Sequence, residues 1–320
     1  MKRLWIAGLI SVFTTVANAQ LAGNPLLPSP VNAIQEAVLD KKFGVALSLI
    51  KSGLQNPVSQ TESMKMITIY SKLFNLGKLK NEDLGWVLPS GVSNIRVRVA
   101  RIQQNGGVGF KLGMSGQLDR QDRLDNLVVT KYPNIVVLDK NNKIGTTEIE
   151  ADPTGFNFSI NSARSQLPVP SGYYQVSFTN KEGEKGEGWF VIDDQMNASA
   201  GPRFNNITDG QVTSGLPIFA WNTFQTPEYK AVEWKGNYLS VGKLDQDSNW
   251  GDSIGYWNDD DSEMTSVELG KTPAKEGHLE LPLSNGNYLV ILGYNEVKKV
   301  GNIKFIRRVE VRNRFSVLNK

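Results

Sequence analysis

A polar segment in the C-terminal half, Asp245-Gln-Asp-Ser-Asn-Trp-Gly-Asp252, carries residue types that bind a hard cation. Oxygen ligands at the alternate positions Asp245, Asp247 and Asn249 suit calcium. The segment departs from an EF-hand loop, because its glycine arrives one residue late and Tyr256 stands where a bidentate glutamate would close the shell. Asp and Asn also favour ordinary loops, where they bond to the nearby backbone. A calcium site here is therefore an alternative to a plain loop, and we expect no other metal and no cofactor.

The same region is rich in aromatic residues. Four of the seven tryptophans fall within residues 221–257, and Trp250 and Trp257 flank Tyr256. Exposed aromatic rings beside carboxylates could stack on sugars or anchor a protein partner; alternatively they fold back onto the core, because large apolar side chains are mostly buried. We predict a binding loop over residues 245–263, with these candidate residues: Asp245, Asp247, Asn249, Trp250, Asp252, Tyr256 and Trp257.

Catalytic chemistry has little support in this chain. It has one histidine, His278, and no cysteine. A Ser-His-Asp triad would have to use His278, which precedes the alternating residues Leu279, Leu281 and Leu283, and no Gly-x-Ser-x-Gly motif is present. Zinc sites draw three or four ligands mainly from Cys and His. We therefore predict no catalytic residue and no zinc site, and we expect His278 on the solvent side of a strand.

The N-terminus has the pattern of an export signal. Lys2 and Arg3 precede an apolar run over residues 4–16, and Ala17-Asn-Ala19 is a small-x-small cleavage site. The run is too short for a membrane anchor, which needs about 20 apolar residues. We predict a signal peptide over residues 1–19 and no stable membrane insertion after cleavage. An exported chain without cysteine fits a bacterial periplasm, or secretion beyond it.

The charge of the chain is balanced overall and uneven locally. Without Lys2 and Arg3 there are 33 basic and 32 acidic residues, which gives no reason to expect nucleic-acid binding. Residues 298–320 hold eight basic residues and one acidic residue, Glu310. Their alternation with apolar residues predicts a solvated outer face or a charged edge strand that protects against aggregation. Attraction to anionic lipids or glycans is the alternative.

Local patterns divide the chain into a helical part and a β part. Ser29-Pro30 and the capping box Ser59-x-x-Glu62 begin helical stripes, which predicts a small helical domain over residues 20–88 with an exposed partner surface. The segment from Phe43 to Gly53 resembles the turn and second helix of a tetratricopeptide repeat. From Ser93 the apolar period changes to two, as in strands with one buried face. We predict antiparallel β-sandwiches over residues 92–194 and 201–320.

A ten-residue repeat relates the two predicted sandwiches. Leu167-Pro-Val-Pro-Ser-Gly-Tyr-Tyr-Gln-Val176 shares Leu-Pro-x-x-x-Gly-x-Tyr-x-Val with residues 281–290. With Trp221, this pattern resembles immunoglobulin and fibronectin type III domains, in which a tyrosine at a strand corner bonds back to the backbone. The resemblance covers the C-terminal two thirds and implies tyrosine corners at Tyr174 and Tyr288. The chain lacks the inter-sheet cysteines of antibody domains.

The whole chain resembles a class of uncharacterised exported gamma-proteobacterial proteins, which implies a periplasmic protein accessory to envelope sensing or assembly. We expect a mainly β fold of two tandem immunoglobulin-like sandwiches after a helical domain. The expected function is non-enzymatic binding, with an envelope protein or a glycan as partner. The alternative is a carbohydrate-binding module or a cell-wall glycan hydrolase that uses the loop over residues 245–263, where Asp259 and Asp261 could act as paired carboxylates.

Overall fold

The structure is a computed structural model that describes residues 29–57, 59–104, 107–121, 123–141, 147–150, 154–193, 203–205, 207–208, 211–212, 218–220, 232–245, 250–259, 266–268 and 283–317. The predicted signal peptide, Asp247, Asn249, Trp221 and His278 lie outside these residues. For the strand residues within 147–150, 203–235 and 250–268, the structure describes only the backbone.

Four helices form the described N-terminal part, which begins at residue 29. They are α1 (Pro30–Leu39), α2 (Phe43–Gln55), α3 (Gln60–Asn75) and α4 (Asn81–Leu84). The predicted caps are present: the Ser29 hydroxyl accepts a hydrogen bond from the Val31 N–H at 3.2 Å, and the Ser59 hydroxyl accepts one from the Glu62 N–H, also at 3.2 Å. Each cap satisfies an N–H that has no partner inside its helix. The Ser29 hydroxyl also donates to Glu62 Oε1 at 2.6 Å, which ties the start of α1 to α3.

The rest of the described chain is mainly strand, as predicted. The strands are β1 (Val92–Gln104), β2 (Gly107–Leu118), β3 (Leu124–Lys131), β4 (Ile135–Asp139), β5 (Thr147–Glu150), β6 (Asn157–Ser162), β7 (Gly172–Asn180), β8 (Lys185–Ile192), β9 (Arg203–Asn205), β10 (Ile207–Thr208), β11 (Gln211–Val212), β12 (Ile218–Ala220), β13 (Val232–Leu244), β14 (Trp250–Asp259), β15 (Ser266–Glu268), β16 (Gly286–Val300) and β17 (Ile303–Val317).

Three sheets contain these strands. The largest has the order β14-β13-β16-β17-β1-β2-β6-β5, with the short β10–β11 hairpin attached to β17. A four-stranded sheet has the order β4-β3-β7-β8, and a three-stranded sheet has the order β15-β12-β9. No helix among the described residues is long and apolar enough to cross a bilayer.

The large sheet runs across the boundary that the sequence predicts between the two β domains. Strand β1 pairs in parallel with β17 over nine residue pairs, from Arg96 opposite Lys304 to Gln104 opposite Arg312. Strand β16 pairs with the other side of β17. Strand β17 therefore lies inside the sheet, and its charged residues do not protect an edge, contrary to the edge-strand interpretation.

One face of the large sheet is buried. A single apolar cluster joins the helices, the four-stranded sheet and the β1–β2 part of the large sheet, and it includes Val300, Ile303 and Phe305 from the tip of the β16–β17 hairpin. Phe305 contacts Phe74 of α3, with ring centroids 5.0 Å apart, and lies 6.4 Å from the ring of Phe190. The last hairpin of the chain therefore packs into the core formed by its first half.

The ten-residue repeat has the same geometry in both copies. The Tyr174 hydroxyl donates to the Pro170 carbonyl at 2.5 Å, and the Tyr288 hydroxyl donates to the Ser284 carbonyl at 2.7 Å. The glycine two residues earlier has φ +147° at Gly172 and φ +154° at Gly286, a region that residues with a side chain rarely occupy. The repeat is therefore explained by a common turn in which a glycine precedes a buried tyrosine.

Candidate binding surface on the outer face of the large sheet

The structure places the predicted binding residues mainly on an edge strand. Asp245 is exposed directly after β13, and Asp247 and Asn249, the other predicted calcium ligands, are outside the described residues. Trp250, Asp252, Tyr256 and Trp257 belong to β14, so much of the predicted loop over residues 245–263 is a strand. In the backbone register, Tyr256 lies opposite Ser240 and Trp257 opposite Leu239. Among described side chains, no group of three His, Cys, Asp or Glu residues could hold a metal ion.

The face opposite the cores carries a different set of polar residues. Along β17, Phe305, Val309 and Val311 are buried on the core side, while Arg308 and Arg312 lie on the other side. Parallel register places Ala100 beside Arg308 and Gln104 beside Arg312. We call the outer surface around this pairing the seam face. It consists of Arg96, Arg98, Arg164, Tyr238, Arg308, Glu310 and Arg312.

Glu310 organises the centre of the seam face. Its side chain is 5% exposed, and both carboxylate oxygens accept hydrogen bonds. Oε1 accepts from the Tyr238 hydroxyl at 2.5 Å and from Arg308 Nη1 at 3.3 Å, and Oε2 accepts from Arg312 Nε at 3.0 Å and Nη2 at 2.8 Å. The side chains of Arg308 and Arg312 stay 29% and 33% exposed. A buried carboxylate thus holds two cations at the surface in fixed orientations.

The pKa values agree with an ionised cluster. Burial tends to raise the pKa of Glu310, but Arg308, Arg312 and the Tyr238 hydroxyl outweigh burial, so its pKa is lowered. Burial and the neighbouring Glu310 carboxylate raise the pKa of Tyr238 well above its ordinary range. Tyr238 is therefore a neutral hydrogen-bond donor at neutral pH, and Glu310 is a carboxylate that accepts from it.

Tyr238 lies flat because a glycine opposes it. Gly293 is the register partner of Tyr238 on β16, and a Cβ atom there would overlap the tyrosine ring. The Arg308 guanidinium lies over the same ring, 5.4 Å from its centroid, and Arg308 Nε donates to Asn295 Oδ1 at 2.9 Å. Hydrogen bonding and cation–π contact together fix Arg308.

The first half of the chain supplies the other part of the seam face. Arg98 Nη2 donates to the buried Asn161 Oδ1 at 2.6 Å. Arg164 crosses β2 where Gly109 leaves room for it, and its Nη2 donates to the Ile102 and Gly107 carbonyls, both at 3.1 Å. Arg164 remains exposed, as does Arg96 near the start of β1. The seam face therefore carries five arginines and one carboxylate.

A second charged cluster lies on the core side of the same hairpin. Glu296 pairs with Arg307 at 2.7 Å and with Lys298 at 3.2 Å, and Lys298 Nζ also donates to Asn75 Oδ1 of α3 at 2.6 Å. Burial lowers the pKa of Lys298. The adjoining cavity, of about 30 Å³, is also lined by Tyr70, and a cavity of that size holds one or two waters. These contacts fasten the hairpin to the helices and leave no room for a larger ligand.

The helical part presents an open groove of about 590 Å³ between α1 and α3. Met64 and Ile69 lie in it, and Gln35, Lys65 and Lys72 are among the polar residues that line it. The predicted partner surface on the helices stays a prediction, because nothing in this shallow, mixed surface fixes a ligand in place.

No motif in the sequence points directly to the seam face as a site. Their sequence pattern places Arg308, Glu310 and Arg312 on a solvated outer face or an edge strand, and it places Tyr238 only within a strand. One signal was present: Arg96 and Arg98 alternate with Ile95 and Val97 as the C-terminal cations alternate with apolar residues. Only the β1–β17 pairing brings the two basic rows together.

Comparisons with known proteins give little further information. No protein-family model matches the chain, and no curated protein matches it. Among solved structures, the chain is similar to a biofilm-associated protein, BSP domain, with 13% sequence identity and a TM-score of 0.23. The match covers 71% of this chain and 30% of that chain, so the chain spans about a third of that protein's length. Such a match assigns no family.

Proposed function

We propose that the chain is an exported, non-enzymatic binding or adaptor protein built from two immunoglobulin-like sandwiches behind a helical domain. The strand orders support this assignment. The first half has β1-β2-β6-β5 against β4-β3-β7-β8, which matches strands A-B-E-D and C′-C-F-G of the immunoglobulin fold. The second half has β9-β12-β15 and β14-β13-β16-β17, which matches A-B-E and C′-C-F-G.

In this assignment, the last strand of the second sandwich pairs with the first strand of the first sandwich. Pairing through nine residues removes the hinge that a simple linker would leave between the two units. The apolar contacts of Phe305 and the hydrogen bond from Lys298 to Asn75 fasten the same hairpin to the helical domain. An adaptor of this kind would hold the surfaces of its helical domain and its two sandwiches at fixed distances from one another.

The observation that carries the proposal is the preorganised charge on the seam face. A buried carboxylate costs desolvation energy, and Glu310 is retained on the outer face of an interior strand, where edge protection does not explain it. Its contacts fix two arginines before any partner arrives, which lowers the entropy cost of binding. The proposed location is the periplasm, reached through the predicted signal peptide, with an envelope component as partner.

Site-specific photocrosslinking in an envelope extract tests the surface. A photoreactive residue replaces Gln104 on the seam face, Lys65 in the helical groove or Tyr256 on β14, each in the full chain. We expect a defined crosslinked product from position 104, and substitution of Arg312 by Gln should weaken it. Products from position 65 or 256 alone would show that the partner binds elsewhere.

A further inference from the structure

The seam face also indicates what kind of ligand it binds, an inference that rests on the proposed function. Its cations are spread over several strands. Arg164 crosses β2 and its Nη1 donates to Gln104 Oε1 at 3.3 Å, and Gln104 is the register partner of Arg312 on β17. Arg96 lies eight residues before Gln104 on the same strand, a distance of roughly 26 Å along the sheet. Arg96 extends the surface along β1. Charges at this spacing suit a ligand that presents repeated anionic groups, whereas a single small anion would contact one or two of them.

The geometry of the arginines also bears on the shape of the ligand. Arg308 and Arg312 are only about one third exposed, because they lie along the sheet and bond to Glu310. Side chains that lie flat are poorly placed to reach the headgroups of a planar bilayer. An extended chain that rests on the sheet can contact all of them.

A protein interface usually combines its arginines with a buried aromatic anchor, since hot spots are enriched in Trp, Tyr and Arg that fill desolvated pockets. The aromatic ring described on the seam face, Tyr238, has the sheet at Gly293 on one side and Arg308 on the other, so it offers no open ring face. Sugars with hydroxyl and carboxylate groups bind through hydrogen bonds, charge and bridging water without such an anchor.

We propose that the seam face binds an acidic polysaccharide, a chain of sugars with repeated carboxylate groups, laid across the β1–β17 pairing. The arginines contact the carboxylates, and Glu310 is a positioning residue that touches no ligand and holds Arg308 and Arg312 in place. The interaction is electrostatic, so salt should weaken it.

The probe is a fluorescein-labelled oligogalacturonate, with neutral dextran of equal length as comparator, measured by fluorescence anisotropy on the full chain. We expect binding of the acidic oligomer and none of dextran. The double variant Arg164→Gln/Arg312→Gln should lose about tenfold or more in affinity, the loss of two charge-assisted contacts. A matched control, Arg120→Gln/Lys181→Gln, removes two exposed cations elsewhere and should stay within about twofold.

Glu310→Gln separates positioning from net charge. The substitution makes the surface more positive, so charge alone would tighten binding, whereas loss of positioning should weaken it several-fold. If the arginine variants unfold, the exposed substitution Arg96→Gln is measured instead. Its affinity for the oligogalacturonate should be lower than that of the control variant.

Equal affinities in seam-face and control variants would overturn the proposal, and so would the absence of binding. Preference for phosphatidylglycerol vesicles or for polyglutamate over oligogalacturonate would also overturn it. Crosslinks from position 104 to a protein, together with no affinity for the oligogalacturonate, would refute the polysaccharide and leave the proposed binding surface in place.

Discussion

Phe305 connects the second half of the chain to the helices, so its truncation should destabilise regions far from it in sequence. Its side chain is 4% exposed and packs against Phe74 and Phe190. Phe→Ala in a core costs about 3 to 5 kcal/mol, from lost apolar burial and the cavity left behind. Because the cavity would open where three parts of the fold meet, we expect a loss near 4 kcal/mol.

Hydrogen exchange of the α3 amides, followed by mass spectrometry, shows whether the loss of stability extends to this helix. In Phe305→Ala, exchange in α3 should accelerate about tenfold or more, which corresponds to 1.4 kcal/mol. Phe315→Ala is the matched control: Phe315 is equally buried and stacks on Tyr288 at 5.4 Å, away from the helices. In urea unfolding, Phe315→Ala should lose a similar free energy of unfolding. The α3 amides should nevertheless stay protected from exchange in this variant. Unchanged α3 exchange in Phe305→Ala would refute the idea of a hairpin fastened to the helices.

Three further predictions concern the repeat and the seam face. Tyr174→Phe and Tyr288→Phe should each lower the free energy of unfolding by about 0.5 to 1.5 kcal/mol, because each leaves a carbonyl without its donor; urea unfolding would contradict this if either variant matched wild type. Gly172→Ala should cost about 1 to 3 kcal/mol, because φ +147° is sparsely populated by residues with a side chain, and a crystal structure with the turn unchanged and no loss of stability would oppose it. The folded-state pKa of Glu310 lies below its ordinary value of 4.5, so its charge stabilises the fold above that pH and the benefit is lost as pH falls below it; urea midpoints of wild type and Glu310→Gln should therefore converge under acid, and a constant difference from pH 7 to pH 3 would exclude this linkage.

Local patterns were sufficient to predict most elements of the first two thirds of the chain. The caps at Ser29 and Ser59 start helices where expected, because a hydroxyl before an apolar stripe satisfies the first N–H groups of a helix. Alternation of apolar residues located β3, β7 and β8 within a few residues of their observed bounds. Both signals are encoded in neighbouring residues, so one sequence is enough to find them.

The pairing of β1 with β17 could not be predicted in this way. About 200 residues separate the two strands, and alternation shows that a strand has two faces without showing which strand lies beside it. The basic row on β17 therefore looked like edge protection, and its position inside the sheet changes that interpretation.

In the segment over residues 245–263, local composition predicts the wrong type of element. Asp, Asn and Gly are depleted in strands, so its composition predicted a loop. Pairing with β13 from Leu244 opposite Trp250 to Asn237 opposite Asp259 makes ten of these residues a strand. Tertiary pairing overrides local propensity here, and the candidate aromatic residues lie along a sheet edge.

A disulfide between β1 and β17 shows whether these two strands are paired neighbours. The chain has no cysteine, so a double variant forms one defined bond. Arg96 and Lys304 are register partners, and adjacent strands lie about 4.8 Å apart, within the 4.4 to 6.8 Å that a disulfide spans between Cα atoms. We predict that Arg96→Cys/Lys304→Cys oxidises completely in the folded protein, as seen by peptide mass mapping.

The matched control is Arg96→Cys/Lys299→Cys. Lys299 is the register partner of Lys304 on the far side of β17, so it lies roughly 10 Å from Arg96, beyond the reach of a disulfide. This variant should stay reduced under the same conditions. Equal oxidation of both variants, or a free thiol pair at positions 96 and 304, would contradict the shared sheet and with it the seam face.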